Sequence, residues 1–375
     1  MTAAPFLDVL EELIATVIEP SAAAVDATGQ FPRAAVTALG EKGLLGLTSS
    51  ADVGGMGLGL GEAAQVVRRL AASCGSTAMV LCMHYSAAAV IEQRGPEDVR
   101  RAIADGVHLS TLALSETGSR SHFWVPLGTA RPDGDDVVLD SSKSWITSAG
   151  EADSYVWTSR PMLGDVGASL WLVPANAGGL KVGAPFDGLG LRGNASSSVK
   201  AVGVRVPAAA LLGSDGAGLD IALTVALPVF QILSASCSIG LMDAAVARTI
   251  QHVSTARLEH LDQTLSQQPV VRQHIADMKN QADAASVLVD DAIVALTTGR
   301  DGAALRMLQA KTVAGDTAIS VIDMAMRVGG GAAFRKDLAI ERHFRDSRAT
   351  VVMAPTSDTL RDLIGRAISG QSLFE

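Results

Sequence analysis

Few side chains in this 375-residue sequence combine a reactive type with a placement that could do chemistry. His84, in Leu81-Cys-Met-His-Tyr85, stands on a helical stretch whose geometry can aim it inward. A neutral imidazole titrates in the range a general base needs, and a histidine satisfied in the core or on the helix surface is the plainer alternative. His122 lies on a polar loop. Cys74, Cys82 and Cys237 sit in apolar surroundings without CxxC spacing, so they read as buried small hydrophobes rather than metal ligands or disulfide partners. The glycines between Val53 and Gly61 do not fit G-x-G-x-x-G and follow no strand, so a turn is expected there instead of a dinucleotide fingerprint.

The elements that must hold such groups are mostly helical. Phe6, Leu7, Leu10, Leu13, Ile14 and Val17 recur at helical spacing between Pro5 and Pro20, and the pattern returns at 32–42, 62–72, 76–93 and 96–104. From His108 to Pro207 the texture turns to short β-rich runs punctuated by Gly, Pro, Asp and Ser, with no helix between them. Antiparallel strands in a sandwich or barrel are therefore expected, not a Rossmann sheet. After Gly213 four long helical segments, around 219–254, 267–298, 302–327 and 356–369, suggest a bundle.

Composition agrees with a well-buried chain: 48% of residues are hydrophobic and 18% charged. The net charge of −9 offers no footprint for nucleic acid, so an anionic ligand needs a local cationic site. The N-terminus lacks the basic flank and apolar run of a signal peptide, and the expected location is cytoplasmic. Ile221–Met242 carries no charge, yet it holds Pro228, Gln231 and three serines, so it reads as a buried helix rather than a membrane span.

Two segments carry a more specific signal. Leu112-Ala-Leu-Ser-Glu-Thr-Gly-Ser-Arg-Ser121 is followed by Lys143-Ser-Trp-Ile-Thr-Ser-Ala-Gly-Glu-Ala-Asp153, and Arg327-Val-Gly-Gly-Gly-Ala-Ala-Phe334 by Glu341-Arg-His-Phe-Arg-Asp-Ser-Arg348. In order and spacing these resemble the acyl-CoA dehydrogenase family. The resemblance implies a mainly α fold with a central β-domain: an N-terminal α-helical domain (1–107), a middle antiparallel β-domain (108–212) and a C-terminal four-helix bundle (213–375). It implies FAD as cofactor, with Ser115, Trp145 and Thr147 against the flavin ring. Without it, Ser115 and Thr147 are ordinary strand residues, and Trp145 in an alternating strand reads as core. Gly330 and Gly331 would let backbone approach the dinucleotide, beside Arg327 where the family has glutamine. Arg257 would bind the pyrophosphate of a neighbouring subunit's FAD, and Thr356 would also contact the cofactor. Ser121, Arg192, Phe230 and Ala354 fall where substrate contacts are expected. An acyl-CoA or acyl-ACP thioester, an acceptor such as electron-transfer flavoprotein, and a homotetramer with a dimer as fallback complete what the resemblance implies.

One departure matters for the chemistry. The family's usual reaction needs a carboxylate over the α-carbon, from a Y-E-G-T-S segment or from the first bundle helix. Here the first reads Met353-Ala-Pro-Thr-Ser357 and the second Pro228-Val-Phe-Gln-Ile-Leu233, without an acid in either. Asp220 and Asp243 lie roughly 10 Å or more away at ~1.5 Å rise per residue. His84 is the favoured replacement, Asp358 one turn beyond Ala354 the second, and His122 a third. A moved base suits a moved reaction, γ,δ-desaturation of a 2-enoyl thioester with hydride still leaving to FAD. A flavin monooxygenase or non-oxidative lyase on the same fold, and a family member without catalysis, are the alternatives.

Overall fold

The structure is a computed structural model that describes residues 5–119, 122–164 and 166–373. Six helices come first: α1 (Pro5–Leu13), α2 (Glu19–Thr28), α3 (Arg33–Glu41), α4 (Leu60–Ser73), α5 (Gly75–Arg94) and α6 (Glu97–Ala104). The first amphipathic helix does not stop at Pro20, as its sequence suggests. A wider π-type turn at Ile14–Ile18 carries it on into α2. Pro20 has no N–H to give to the preceding turn, and widening that turn absorbs the loss without breaking the helix.

Seven strands follow: β1 (Ser110–Ala113), β2 (Thr129–Asp133), β3 (Asp136–Ile146), β4 (Ser154–Ser159), β5 (Ser169–Pro174), β6 (Leu180–Val182) and β7 (Ser197–Pro207). They form a sheet in the order β1-β4-β5 and another in the order β2-β3-β7-β6. All pairings are antiparallel except β1 with β4, which is parallel. The chain between those two strands makes β2 and β3 in the other sheet, so no hairpin forces reversal. Trp157, Trp171 and Tyr155, all fully buried, centre the β-domain core.

The C-terminal part comprises α7 (Gly218–Ile221), α8 (Leu227–Thr255), a short hairpin of β8 (Arg257–Leu258) and β9 (Gln263–Thr264), α9 (Pro269–Thr298), α10 (Ala303–Ala333), α11 (Ile340–Val352) and α12 (Ser357–Ile368). The helix α11 is absent from the periodicity reading, because its Glu-Arg-His-Phe-Arg-Asp-Ser-Arg run shows little apolar pattern. Arg342 and Asp346 are nonetheless buried and partnered, Arg342 donating to the Ser73 carbonyl at 3.0 Å and Asp346 accepting from the Leu191 N–H at 2.6 Å. The uncharged stretch within 218–255 is long and apolar enough to span a membrane, but its most apolar window is 78% buried inside the fold. It packs against α4, α5, α9, α10 and α11, which is why it is apolar all round. A π-type turn at Ala222–Ala226 joins α7 to α8 just before Pro228, the same response to a proline as at Pro20.

Candidate active site

Between the β-domain and the start of α8 lies a cleft of about 480 Å³, its open mouth included. Met83 of α5, Leu112 of β1, the following Leu114 and Ser115, and Phe123 of the next loop form one side. Trp145 and Ile146 close the end of β3, while Ala222, Ala226, Leu227 and Phe230 line the wall from the π-type turn into α8. Ala354 completes it. No carboxylate, imidazole or amine is among these described residues.

A buried ion pair builds the β-domain side. The Lys143 ammonium donates to a Glu116 carboxylate oxygen at 2.5 Å, and to the Thr158 carbonyl and hydroxyl at 2.7 Å each. The other Glu116 oxygen accepts from the Leu127 and Gly128 N–H groups at 2.7 and 2.9 Å. Desolvation lowers the Lys143 pKa to about 8, and its full set of acceptors is what makes a charge tolerable there. The pair fastens the residue after Ser115 to the strand that presents Trp145.

Beyond Lys143 the β3–β7 register shifts before Ile146, and Trp145 takes a left-handed φ of 59°. A bulky residue there is strained by about 1–3 kcal/mol, and strain of this kind clusters at functional sites. The bulge turns the indole out of the core: Trp145 is 65% exposed, against Phe186 with ring centroids 4.4 Å apart. The core reading drawn from strand alternation is therefore overturned, because alternation assumes a register that the bulge breaks.

The expected residues divide. Ser115, Trp145, Phe230 and Ala354 meet in the cleft. Thr147 is buried beside them in sequence, its carbonyl accepting from the Thr111 hydroxyl at 2.9 Å. Ser121 lies outside the described residues. Thr356 caps α12, accepting from the Thr359 N–H at 3.3 Å. Gly330 breaks the helical path of α10 with φ 52° and ψ −137°, a conformation that requires glycine, and with Gly331 and Arg327 it faces solvent. Arg257 pairs with Asp262 across the β8–β9 hairpin and is half exposed.

Three expectations are corrected. His84 does not line the cleft; it is fully buried, its Nδ1 accepting from the Ser110 N–H at 3.1 Å and its Nε2 donating to the Leu45 carbonyl at 3.0 Å. Both ring nitrogens are spent on backbone, and burial lowers its pKa to about 4, so it bridges α5 to its neighbours rather than taking a substrate proton. Asp358 is almost wholly exposed and pairs with Arg361 at 2.8 Å, away from the lining. Arg192 is committed to the Asp26 and Gly188 carbonyls and the Asp187 carboxylate, so it ties the loop after β6 to α2.

The β3 bulge leaves an indole facing an apolar cleft beside a hydroxyl, and Gly330 and Gly331 leave bare backbone with nothing within 4 Å of the Cβ they lack. These features fit an isoalloxazine and an approaching dinucleotide.

Comparison with known proteins agrees. Sequence profiles for the acyl-CoA dehydrogenase N-terminal, middle and C-terminal domains match residues 3–107, 111–204 and 216–369. The chain is 29% identical over 349 residues to the mitochondrial short-chain specific acyl-CoA dehydrogenase of Bos taurus, covering 91% of this chain and 84% of that one. It is 28% identical over 370 residues to the cyclohex-1-ene-1-carbonyl-CoA dehydrogenase of Geobacter metallireducens, covering 96% of each. The solved structure of FkbI, for biosynthesis of the methoxymalonyl extender unit of the polyketide Fk520, superposes with a TM-score of 0.86 at 25% identity, over 97% of this chain and 99% of that one. Profiles, relatives and the cleft together place this chain in the acyl-CoA dehydrogenase family, as an FAD-dependent flavin oxidoreductase acting on CH–CH groups.

Proposed function

We propose that this enzyme desaturates the γ,δ bond of an acyl thioester that is already α,β-unsaturated, carried on CoA or on an acyl carrier protein. The observation that carries the reading is the lining of the cleft: Ala354, which cannot accept a proton, stands where the resemblance puts one carboxylate, and the 228–233 window, where it puts the other, contributes only Phe230 to the wall and holds no acid. Removing an α-proton needs a base over the α-carbon. In a 2-enoyl thioester the γ-protons are acidified through conjugation, so the departing proton lies further along the chain, away from residue 354.

FAD, when bound, accepts the hydride that leaves the neighbouring carbon. Trp145 and Ser115 would bound the ring, with Thr147 nearby, while the apolar wall of Leu112, Leu114 and Phe230 excludes water. Of the titratable groups beside the lining, Glu116 is committed to Lys143 and two backbone N–H groups. His122, adjacent to cleft-lining Phe123, is exposed with Nδ1 3.3 Å from the Ser119 carbonyl, and we assign it as proton acceptor. Arg257, Arg327, Gly330 and Gly331 face solvent in the single chain, as expected if they meet a neighbouring subunit's FAD in a homotetramer or dimer. Electron-transfer flavoprotein is the proposed acceptor.

Support comes from the relative named for cyclohex-1-ene-1-carbonyl-CoA, a thioester with its double bond already conjugated, and from FkbI, named for a polyketide extender unit. The test is anaerobic titration of the holoenzyme with trans-2-pentenoyl-CoA and pentanoyl-CoA, and with the same acyl groups on a carrier protein. Flavin bleaching by the pentenoyl thioester alone, slowed in His122→Gln, is expected. Bleaching by the pentanoyl thioester and not the pentenoyl one overturns the proposal.

A further inference from the structure

Lys311 is one of the largest fully buried side chains in the chain, on α10, and forms no ion pair among the described residues. Its ammonium donates to the carbonyls of Thr350 at 2.9 Å, Met353 at 3.2 Å and Pro355 at 2.9 Å. Three N–H donors meet three acceptors, which satisfies an ammonium completely and leaves nothing over for another role. The first carbonyl lies in the last turn of α11, where the helix dipole presents partial negative charge. The other two flank Ala354, in the short link between α11 and α12. Gly315, one turn along α10, lets the helices approach: a Cβ there would come within 3.3 Å of Val351 and 3.4 Å of the Thr350 hydroxyl.

We propose that Lys311 is a positioning residue for the cleft, its ammonium pinning the link 353–356 from behind so that Ala354 closes the wall and Thr356 starts α12. This rests on the reading of the cleft as the thioester site. Burial lowers the Lys311 pKa to about 7, the cost of keeping a cation there with only carbonyl dipoles for company. An apolar side chain of similar length would fill the space without that cost, yet would leave the carbonyls beside Ala354 unpaired.

The test compares holoenzymes of wild type, Lys311→Met, Lys311→Arg and Thr312→Val. Thr312 is the adjacent buried residue, and its hydroxyl donates only to Leu308 within α10, at 2.9 Å. Hydrogen exchange across 350–360 and affinity for trans-2-pentenoyl-CoA by calorimetry are the readouts. In Lys311→Met, exchange in 353–360 should quicken by about tenfold or more while FAD stays bound and β-domain exchange is unchanged. Thioester affinity should fall by about tenfold, and Lys311→Arg should recover most of both. Unchanged exchange in Lys311→Met overturns the proposal; so does faster exchange with unchanged affinity, or an equal loss of affinity in Thr312→Val. Should Lys311→Met fail to fold, Lys311→Gln, with two neutral donors, must give the intermediate result. Failure of every 2-enoyl thioester to reduce the wild-type flavin would sink the γ,δ-desaturation reading and leave these comparisons standing.

Discussion

The Glu116 carboxylate and the Lys143 ammonium meet at 2.5 Å with 3% and 0% of their side chains exposed, and between them they join the Ser115 segment to the strand that presents Trp145. Removing one partner strands the other as an unpaired buried charge. Lys143→Met should therefore cost about 3–5 kcal/mol, measured by urea denaturation of the holoenzyme, and should lower the FAD content. Replacing both residues with apolar ones of similar volume should recover much of that stability but little of the FAD. A small effect of the single substitution would show that the pair does not organise the site.

Trp145→Ala separates a ligand-facing ring from a core ring. With 65% of the residue exposed, the folded chain should lose no more than about 1 kcal/mol without FAD, whereas a buried tryptophan would cost about 3–5 kcal/mol. FAD affinity, by contrast, should drop severalfold. Denaturation of the apoprotein and fluorescence titration with FAD read the two quantities independently.

Ala354→Glu puts a carboxylate at the wall of the cleft, the position to which the proposed reading assigns the missing acid. The variant should gain α,β-dehydrogenation of pentanoyl-CoA, seen as anaerobic flavin bleaching that wild type lacks, and should lose activity toward the 2-enoyl thioester. If pentanoyl-CoA reduces both proteins equally, the wild type already has an α-proton acceptor, and the argument from Ala354 fails.

His84 makes a prediction about stability against pH. Its ordinary value is 6.5 and burial holds it at about 4 in the fold. On acidification the unfolded chain takes up this proton first. The stability His84 confers is thus fully present above about pH 6.5, falls between 6.5 and 4, and levels off below, by about 3 kcal/mol in all. His343, buried with neither ring nitrogen partnered, acts in the same direction, while Asp346, pushed up to about 6 by burial, acts in the opposite one. The difference between wild type and His84→Gln isolates the His84 part. A flat difference between pH 4 and 6.5 would contradict the buried, doubly bonded placement, and thioester-driven flavin reduction should survive the substitution.

Taken alone, the amino-acid sequence determined the order of helical and β-rich parts, because helical and strand periodicity are local properties of the chain. It also carried the family's motifs and the absence of an acid at 354 and in the 228–233 window, since residue identity needs no geometry. Tertiary structure decided what those residues do. Trp145 reads as core in an alternating strand and faces the cleft because a bulge shifts the register by a pleat. His84 has the right chemistry on the right helix, yet the carbonyl of Leu45 and the N–H of Ser110, 39 and 26 residues away, take both its nitrogens. The bond that joins Glu116 to Lys143, and those from Lys311 to the link around Ala354, also span dozens of residues. A single sequence does not encode such partnerships as a pattern, because they depend on which distant backbone groups the packed core leaves without another partner.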